Sequence, residues 1–168
     1  MSRHKAPRNR QSTTVRQARP LDAETVHQIG REAYTAAYLP VIGLVPKRGI
    51  EDCRPRIKRG EVWIIEAVDE PIGVIVLEEK SEFLLVYSVA VKPSHQRQGH
   101  ATTLLRFADQ HAIAIGVKAV RSYTNQRMEQ NIGLYRRCGF TEIGKRPHPS
   151  RPGEVLVDME KRAFGSAV

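Results

Sequence analysis

The sequence predicts a layered α+β domain with the element order β-α-α-β-β-β-α-β-α-β-β, and three observations predict it. "EVWIIEAV" and "PIGVIVLEE" are apolar, β-branched runs separated by Asp69 and Glu70, the pattern of a β-hairpin. "EFLLVYSVAVK" is apolar almost throughout, as a central strand covered on both faces should be, and Pro93 stops it. From Gln98 to Gly116 the residues Ala101, Leu104, Leu105, Ala108, Ala112 and Ile115 form one helical stripe, with Gly116 as its stop.

The other elements follow in order. "TVRQARPLD" reads as a short extended segment, and Asp22 as the N-cap of a helix through "AETVHQIGREAYTAAYL" that Pro40 ends. "PVIGLVPKRG" is a Pro/Gly-rich loop before a second helix whose middle Pro55 disturbs. "KAVRSYT" is a strand, and "RMEQNIGLYRRC" a helix stopped by Gly139. The chain then runs through "FTEIGKR", the turn "PHPSRPG" and the strand "EVLVDMEK". With 168 residues and no repeat or low-complexity tract, one domain over residues 14–163 is expected, behind a basic, disordered tail of residues 1–13.

Charge and composition narrow the function. The net charge is +9, but residues 1–20 carry six Lys or Arg and no acid, so the body of the chain is nearly balanced. A nucleic-acid-binding role would rest on that tail alone, since aromatic residues are few, and nucleic acid is not expected as a partner. No stretch approaches the ~20 apolar residues of a membrane span, so no membrane association and a cytoplasmic location are expected. Cys53 and Cys138 have no CxxC partner spacing and read as reduced thiols. His100 and His111 are about 16 Å apart along one helix and cannot chelate one ion, so no metal site is expected.

The chemistry concentrates where the central strand becomes a helix. The turn Gln96-Arg97-Gln98-Gly99-His100-Ala101 offers several backbone N–H groups at the positive end of a helix dipole, an anion site suited to phosphate. Gly99 permits close approach, and Arg97 can add a charge-assisted bond. A glycine that merely turns the chain fits these residues equally well. Neither GxxxxGK[ST] nor GxGxxG occurs, which removes the P-loop and the dinucleotide fingerprint. One helix downstream, Asn131 and Tyr135 are four residues apart on one face; taken alone, such a tyrosine is more often a half-buried packing residue than an acid.

Together these stretches are recognisable. "SVAVKPSHQRQGHATTLL" resembles the acyl-CoA signature Q/R-x-x-G-x-G/A of the GNAT superfamily of N-acetyltransferases. "YTNQRMEQNIGLYRRCGF" resembles that superfamily's following M-x-x-N-x-x-L-Y-x-x-x-G-F block, and the likeness extends from about Val15 to Lys161. The resemblance implies a mixed, mostly antiparallel sheet, splayed between its fourth and fifth strands and flanked by about four helices. Acetyl-CoA would enter that gap and leave as coenzyme A.

The backbone around Ala90, at Val89 and Val91, would bond the pantetheine arm; Gln96 and the amides of Arg97, Gln98, Gly99, His100, Ala101 and Thr102 would form the pyrophosphate turn. Asn131 would lie near the pantetheine and Tyr135 near the thioester sulfur. The implied activity is direct acetyl transfer to a primary amine of a small molecule or protein. Tyr135 would protonate the departing thiolate, and the Val89 N–H, at the family's bulge, would stabilise the oxyanion. "LLVYSV" lacks the glutamate that histone-type members place on this strand, so no base is assigned, and Glu82 and Glu66 read as surface or paired acids. The alternative is an inactive acyl-CoA-binding sensor or partner subunit; a homodimer is left open. The first two helices, the loop between them and the last hairpin would select the acceptor; their stretches "YLPVIGLVPKRGIEDCRPRIKRG" and "KRPHPSRPGEV" are basic and favour one bearing a carboxylate or phosphate.

Overall fold

The structure is a computed structural model that describes residues 12–164. Most of the expected tail lies outside the described residues, but Thr13 already pairs with Ala67 and belongs to the first strand. The elements are β1 (Thr13–Gln17), α1 (Ala23–Ile42), α2 (Arg54–Lys58), β2 (Val62–Ala67), β3 (Glu70–Glu79) and β4 (Phe83–Val91). After these come α3 (His100–Ile115), β5 (Ala119–Asn125), α4 (Glu129–Arg137), β6 (Thr141–Pro147) and β7 (Val155–Arg162). This is the element order read from the sequence.

The strands form one seven-stranded sheet in the order β1-β2-β3-β4-β5-β7-β6. Only β4 and β5 run parallel; every other neighbouring pair is antiparallel. One face packs α3 and α4 through Ile65, Ile75, Leu77, Leu104, Leu105 and Ala108. The other packs α1 and α2 through Val26, Ile29, Ile57, Ile64, Val74 and Val76. Alternate residues of β2 and β3 thus enter opposite cores, which is why these strands are apolar without a break.

The decisive irregularity lies in β4. Val76 of β3 pairs with Ser88 and Leu77 with Val86, so Tyr87 is an extra residue, a β-bulge. Tyr87 and Ser88 consequently lie on the same face: Tyr87 packs among the α1-side residues, and the Ser88 hydroxyl bonds the α1 residue Tyr34 at 2.9 Å. The bulge was expected at Val89, but Val89 keeps regular pairing with Ile75. The parallel pairing of β4 with β5 ends at Val86↔Ser122, immediately before the bulge. Beyond that point β5 stays with β7 through Asn125, and the sheet opens beside the second half of β4.

Several boundaries differ from the sequence reading. Helix α1 runs past Pro40 to Ile42, because a proline in the last turn forfeits a single intrahelical bond. Gly43, at φ 84°, then closes the helix by donating its N–H to the Leu39 carbonyl at 3.0 Å. Pro55 sits in the first turn of α2, where its missing N–H has no intrahelical partner, so it starts that helix rather than disturbing it. Val68 and Asp69, at φ 51° and 60°, form a two-residue left-handed turn, which moves Val68 out of β2 and Glu70 into β3. Ile115, at the end of the α3 stripe, is exposed.

Asp22 precedes α1 as expected, yet its carboxylate does not cap the helix. It accepts from Arg16 Nη1 and Nη2 at 2.8 and 2.9 Å and from the Arg19 N–H at 2.7 Å, tying β1 to the start of α1. The Arg16 hydrogen bonds hold the Asp22 carboxyl at about 2, against an ordinary value near 3.9. A depressed carboxyl stabilises the fold fully above its unfolded value and loses that effect as pH falls through about 4 toward 2. Urea unfolding should therefore show Asp22→Asn less stable than the parent at pH 6, with the difference shrinking steadily between pH 4 and pH 2.

Candidate active site

The opening between β4 and β5 is the mouth of a cleft of about 510 Å³. On β4, the Lys92 N–H bonds the Ile72 carbonyl of β3 at 2.8 Å, so by strand alternation the Ala90 backbone also faces β3. Val89 and Val91 therefore turn their backbone groups to the open side, where β5 no longer pairs. Gln96 fills part of this demand: its Nε2 donates to the Val91 carbonyl at 3.1 Å and braces the turn against the strand.

The turn itself carries two left-handed residues, Arg97 at φ 60° and Gly99 at φ 86°. The first bond of α3 runs from the Thr103 N–H to the Gly99 carbonyl at 3.0 Å, leaving the N–H groups of His100, Ala101 and Thr102 without intrahelical acceptors. A Cβ built on Gly99 meets nothing within 4 Å and would project into free space. These N–H groups, the helix dipole and Arg97, which has no acidic partner among the described residues, make the turn attractive to an anion. His100 is held below its ordinary value, by burial first and by His95 second, so it stays neutral at pH 7.

Of the residues expected at the site, Val89, Ala90, Val91, Gln96, Arg97, Gly99, His100, Ala101, Thr102, Asn131 and Tyr135 line this one cleft. Gln98 does not; its Oε1 lies 3.4 Å from His100 Nε2 on the exposed side of the turn. Tyr135 is buried edge-on against Phe140, and burial holds its hydroxyl well above the ordinary phenol range, with the Ser122 hydroxyl opposing the shift. It therefore keeps its proton at every pH at which proteins usually work. Glu66, set aside as a base, is paired with Arg16 at 2.7 Å.

The sequence reading missed an aromatic wall opposite the turn. Tyr34 and Tyr38, one turn apart on α1, stack at 5.3 Å. Asn131 Nδ2 donates to the Tyr38 hydroxyl and to Thr124 Oγ1, both at 3.2 Å, while Arg48 Nη2 donates to the same Tyr38 hydroxyl at 3.0 Å. The network links α1, α4, β5 and the loop before α2 across the mouth of the cleft. The four-residue spacing of Tyr34 and Tyr38 was available in the sequence; Arg48, in an aperiodic loop, had no local signal.

Residues 58–142 match the family model of the acetyltransferase (GNAT) domain. The chain belongs to the GNAT family. It is 27% identical over 114 residues to a Bacillus subtilis (strain 168) protein named uncharacterized N-acetyltransferase YvbK, spanning 67% of this chain and 72% of that one. Its fold matches PaiA N-acetyltransferase from Thermoplasma acidophilum, solved in complex with coenzyme A, at TM-score 0.73 and 20% identity, over 90% of this chain and 99% of that one. It also matches yncA from Salmonella typhimurium, solved with its cofactor acetyl-CoA, at TM-score 0.70 and 20% identity, over 94% and 97% of the two chains.

As a GNAT domain, the protein has the expected mixed sheet, its strands parting after a short parallel pair. No helix among the described residues is long and apolar enough to cross a membrane, and those residues hold no metal-ligand cluster. The Asn131 bridge makes a direct prediction. Asn131→Ala withdraws a donor from two enclosed oxygens and should cost about 1–3 kcal/mol in chemical denaturation.

Proposed function

We propose that this protein is an acetyl-CoA-dependent N-acetyltransferase whose cleft between β4 and β5 receives acetyl-CoA as a substrate. The observation that carries this reading is one cleft lined by the β4 edge at Val89 and Val91, which no strand pairs, by the turn with the free N–H groups of His100–Thr102, and by Tyr135. The pantetheine arm, an amide chain, would add to the β4 edge as a strand would. The pyrophosphate would take the N–H groups of the α3 turn with Arg97 beside it. Gln96 braces that turn, and Asn131 positions the aromatic wall.

In the transfer, a neutral amine attacks the thioester carbonyl carbon, the C–N bond forms, and the C–S bond breaks. One amine proton goes to solvent, solvent returns a proton to Tyr135 once it has protonated the sulfur, and the products are the N-acetyl amine and coenzyme A. The Val89 N–H, turned to the open side, would stabilise the oxyanion, and Tyr135, kept neutral by burial, would give its proton to the departing sulfur. Burial keeps that hydroxyl in the protonated form a donor needs. Activity should thus climb with pH as the acceptor amine loses its proton, with no fall from Tyr135 ionisation below about pH 10. A cytoplasmic setting, where acetyl-CoA is at hand, fits this chemistry.

The test is thiol release from acetyl-CoA over amino acids, polyamines, aminoglycosides and peptide N-termini. At least one class should be acetylated, and Tyr135→Phe should slow that turnover by about 10²-fold, within the range for a positioned proton donor. Intact acetyl-CoA across the whole panel would mark an acyl-CoA binder instead. Gly99→Ala should weaken coenzyme A binding at least about tenfold in calorimetry, because φ 86° strains any L side chain and the added methyl enters the space left for phosphate.

A further inference from the structure

Among the described residues, Arg48 is the guanidinium of the cleft that sits on the aromatic wall, and it has no acid beside it. It lies in the loop between α1 and α2, with its carbon 5.8 Å from the Tyr34 ring centre, 5.9 Å from Tyr38 and 5.0 Å from Tyr123. Nη2 donates to the Tyr38 hydroxyl at 3.0 Å and Nη1 to the Tyr123 carbonyl at 3.4 Å. Nε is enclosed and has no hydrogen-bond partner. A guanidinium has five N–H donors and these contacts use two. No carboxylate among the described residues lies within ion-pair distance of it.

Its partly buried counterparts are treated differently. Arg56 is stacked 3.7 Å from the Tyr87 ring centre, yet it also faces Glu51, Glu61 and Glu78. Arg16 faces Asp22 and Glu66, Arg121 faces Glu160, and Arg146 faces Asp158. Withdrawing a cation from water costs free energy unless an anion or several acceptors replace the lost hydration. Arg48 has aromatic faces and two neutral oxygens, which leaves that demand unmet on the side where it lines the cleft.

We propose that Arg48 binds the carboxylate of the acceptor, so that the substrate is a small amine that also carries a carboxylate. This deepens the acetyltransferase reading above and rests on it. The planar fork of donors matches a carboxylate, and one free guanidinium matches a single negative charge. Tyr34, Tyr38, Arg48 and Tyr135 line one cleft, so an acceptor anchored at Arg48 keeps its amine in the space that holds the transfer centre. The tyrosines also exclude water, which strengthens the ion pair.

The experiment compares acetylation of the common L-amino acids, β-alanine and γ-aminobutyrate with that of their amides, and of O-phosphoethanolamine, by thiol release. The proposal expects an acid to exceed its own amide by about 10- to 100-fold in kcat/KM, the range for losing a charged hydrogen-bond partner. Arg48→Gln should collapse that ratio toward one, and Arg48→Lys should restore part of it, while coenzyme A affinity by calorimetry reports that each variant is folded. A purely structural Arg48 would lower all substrates together and leave the ratio intact, overturning the proposal. Amides or O-phosphoethanolamine turned over better than every acid by the parent protein would overturn it without any variant. An absence of turnover with every amine, beside normal coenzyme A binding, removes the acetyltransferase reading and this assignment with it.

Discussion

The architecture depends on one mismatch in the sheet: β4 and β5 pair in parallel over four residues and then part. Before Val86 the pairing with β5 is regular; at Tyr87 the bulge puts two consecutive side chains on the α1 face and adds local twist. After it, Val89 and Val91 turn backbone groups to a side where no strand pairs them, and Gln96 holds the Val91 carbonyl. Buried strands seldom leave such groups unpaired, because each costs free energy when desolvated. The rest of the site is arranged around that edge, with the α3 turn at one end, Tyr135 of α4 at the other, and the α1 tyrosines as the facing wall.

Much of this was legible in the sequence because the signals are local. Apolar runs of β2, β3 and β4, the α3 stripe and its Gly116 stop each act within a few residues, and the element order follows from them. Gly99 and the amides after it were legible for the same reason, since a strand, a glycine and a helix start fix where free N–H groups fall. Pro40 and Pro55 were misjudged because a proline's cost depends on whether its missing N–H falls in the ladder or at an end. The bulge was displaced by two residues because register depends on both partners of the β3–β4 pair.

The aromatic wall was not legible because it is assembled from four distant segments. Tyr38 meets Thr124 and Asn131 across 86 and 93 positions of chain, and Arg48 reaches both Tyr38 and the Tyr123 carbonyl. No periodicity joins these residues. What joins them is burial: hydroxyls and an amide turned into one enclosed space satisfy each other, and a guanidinium is drawn over their rings. The two ends of the cleft thereby differ in character. The α3 end offers backbone donors near solvent, while the tyrosine end is enclosed, and burial raises the Tyr34 and Tyr135 hydroxyls above the ordinary phenol range.

On the proposed reading, that contrast gives phosphate to the first end and the reacting groups to the second. The central claim is that the parted β4 edge and the α3 turn together form the coenzyme A site, and a titration of the ¹⁵N-labelled protein with coenzyme A tests it residue by residue. The amide signals of Val89, Val91 and Gly99–Thr102 should move most, in a single saturating phase. Shifts confined to other surfaces, with these amides unmoved at saturation, would contradict the account.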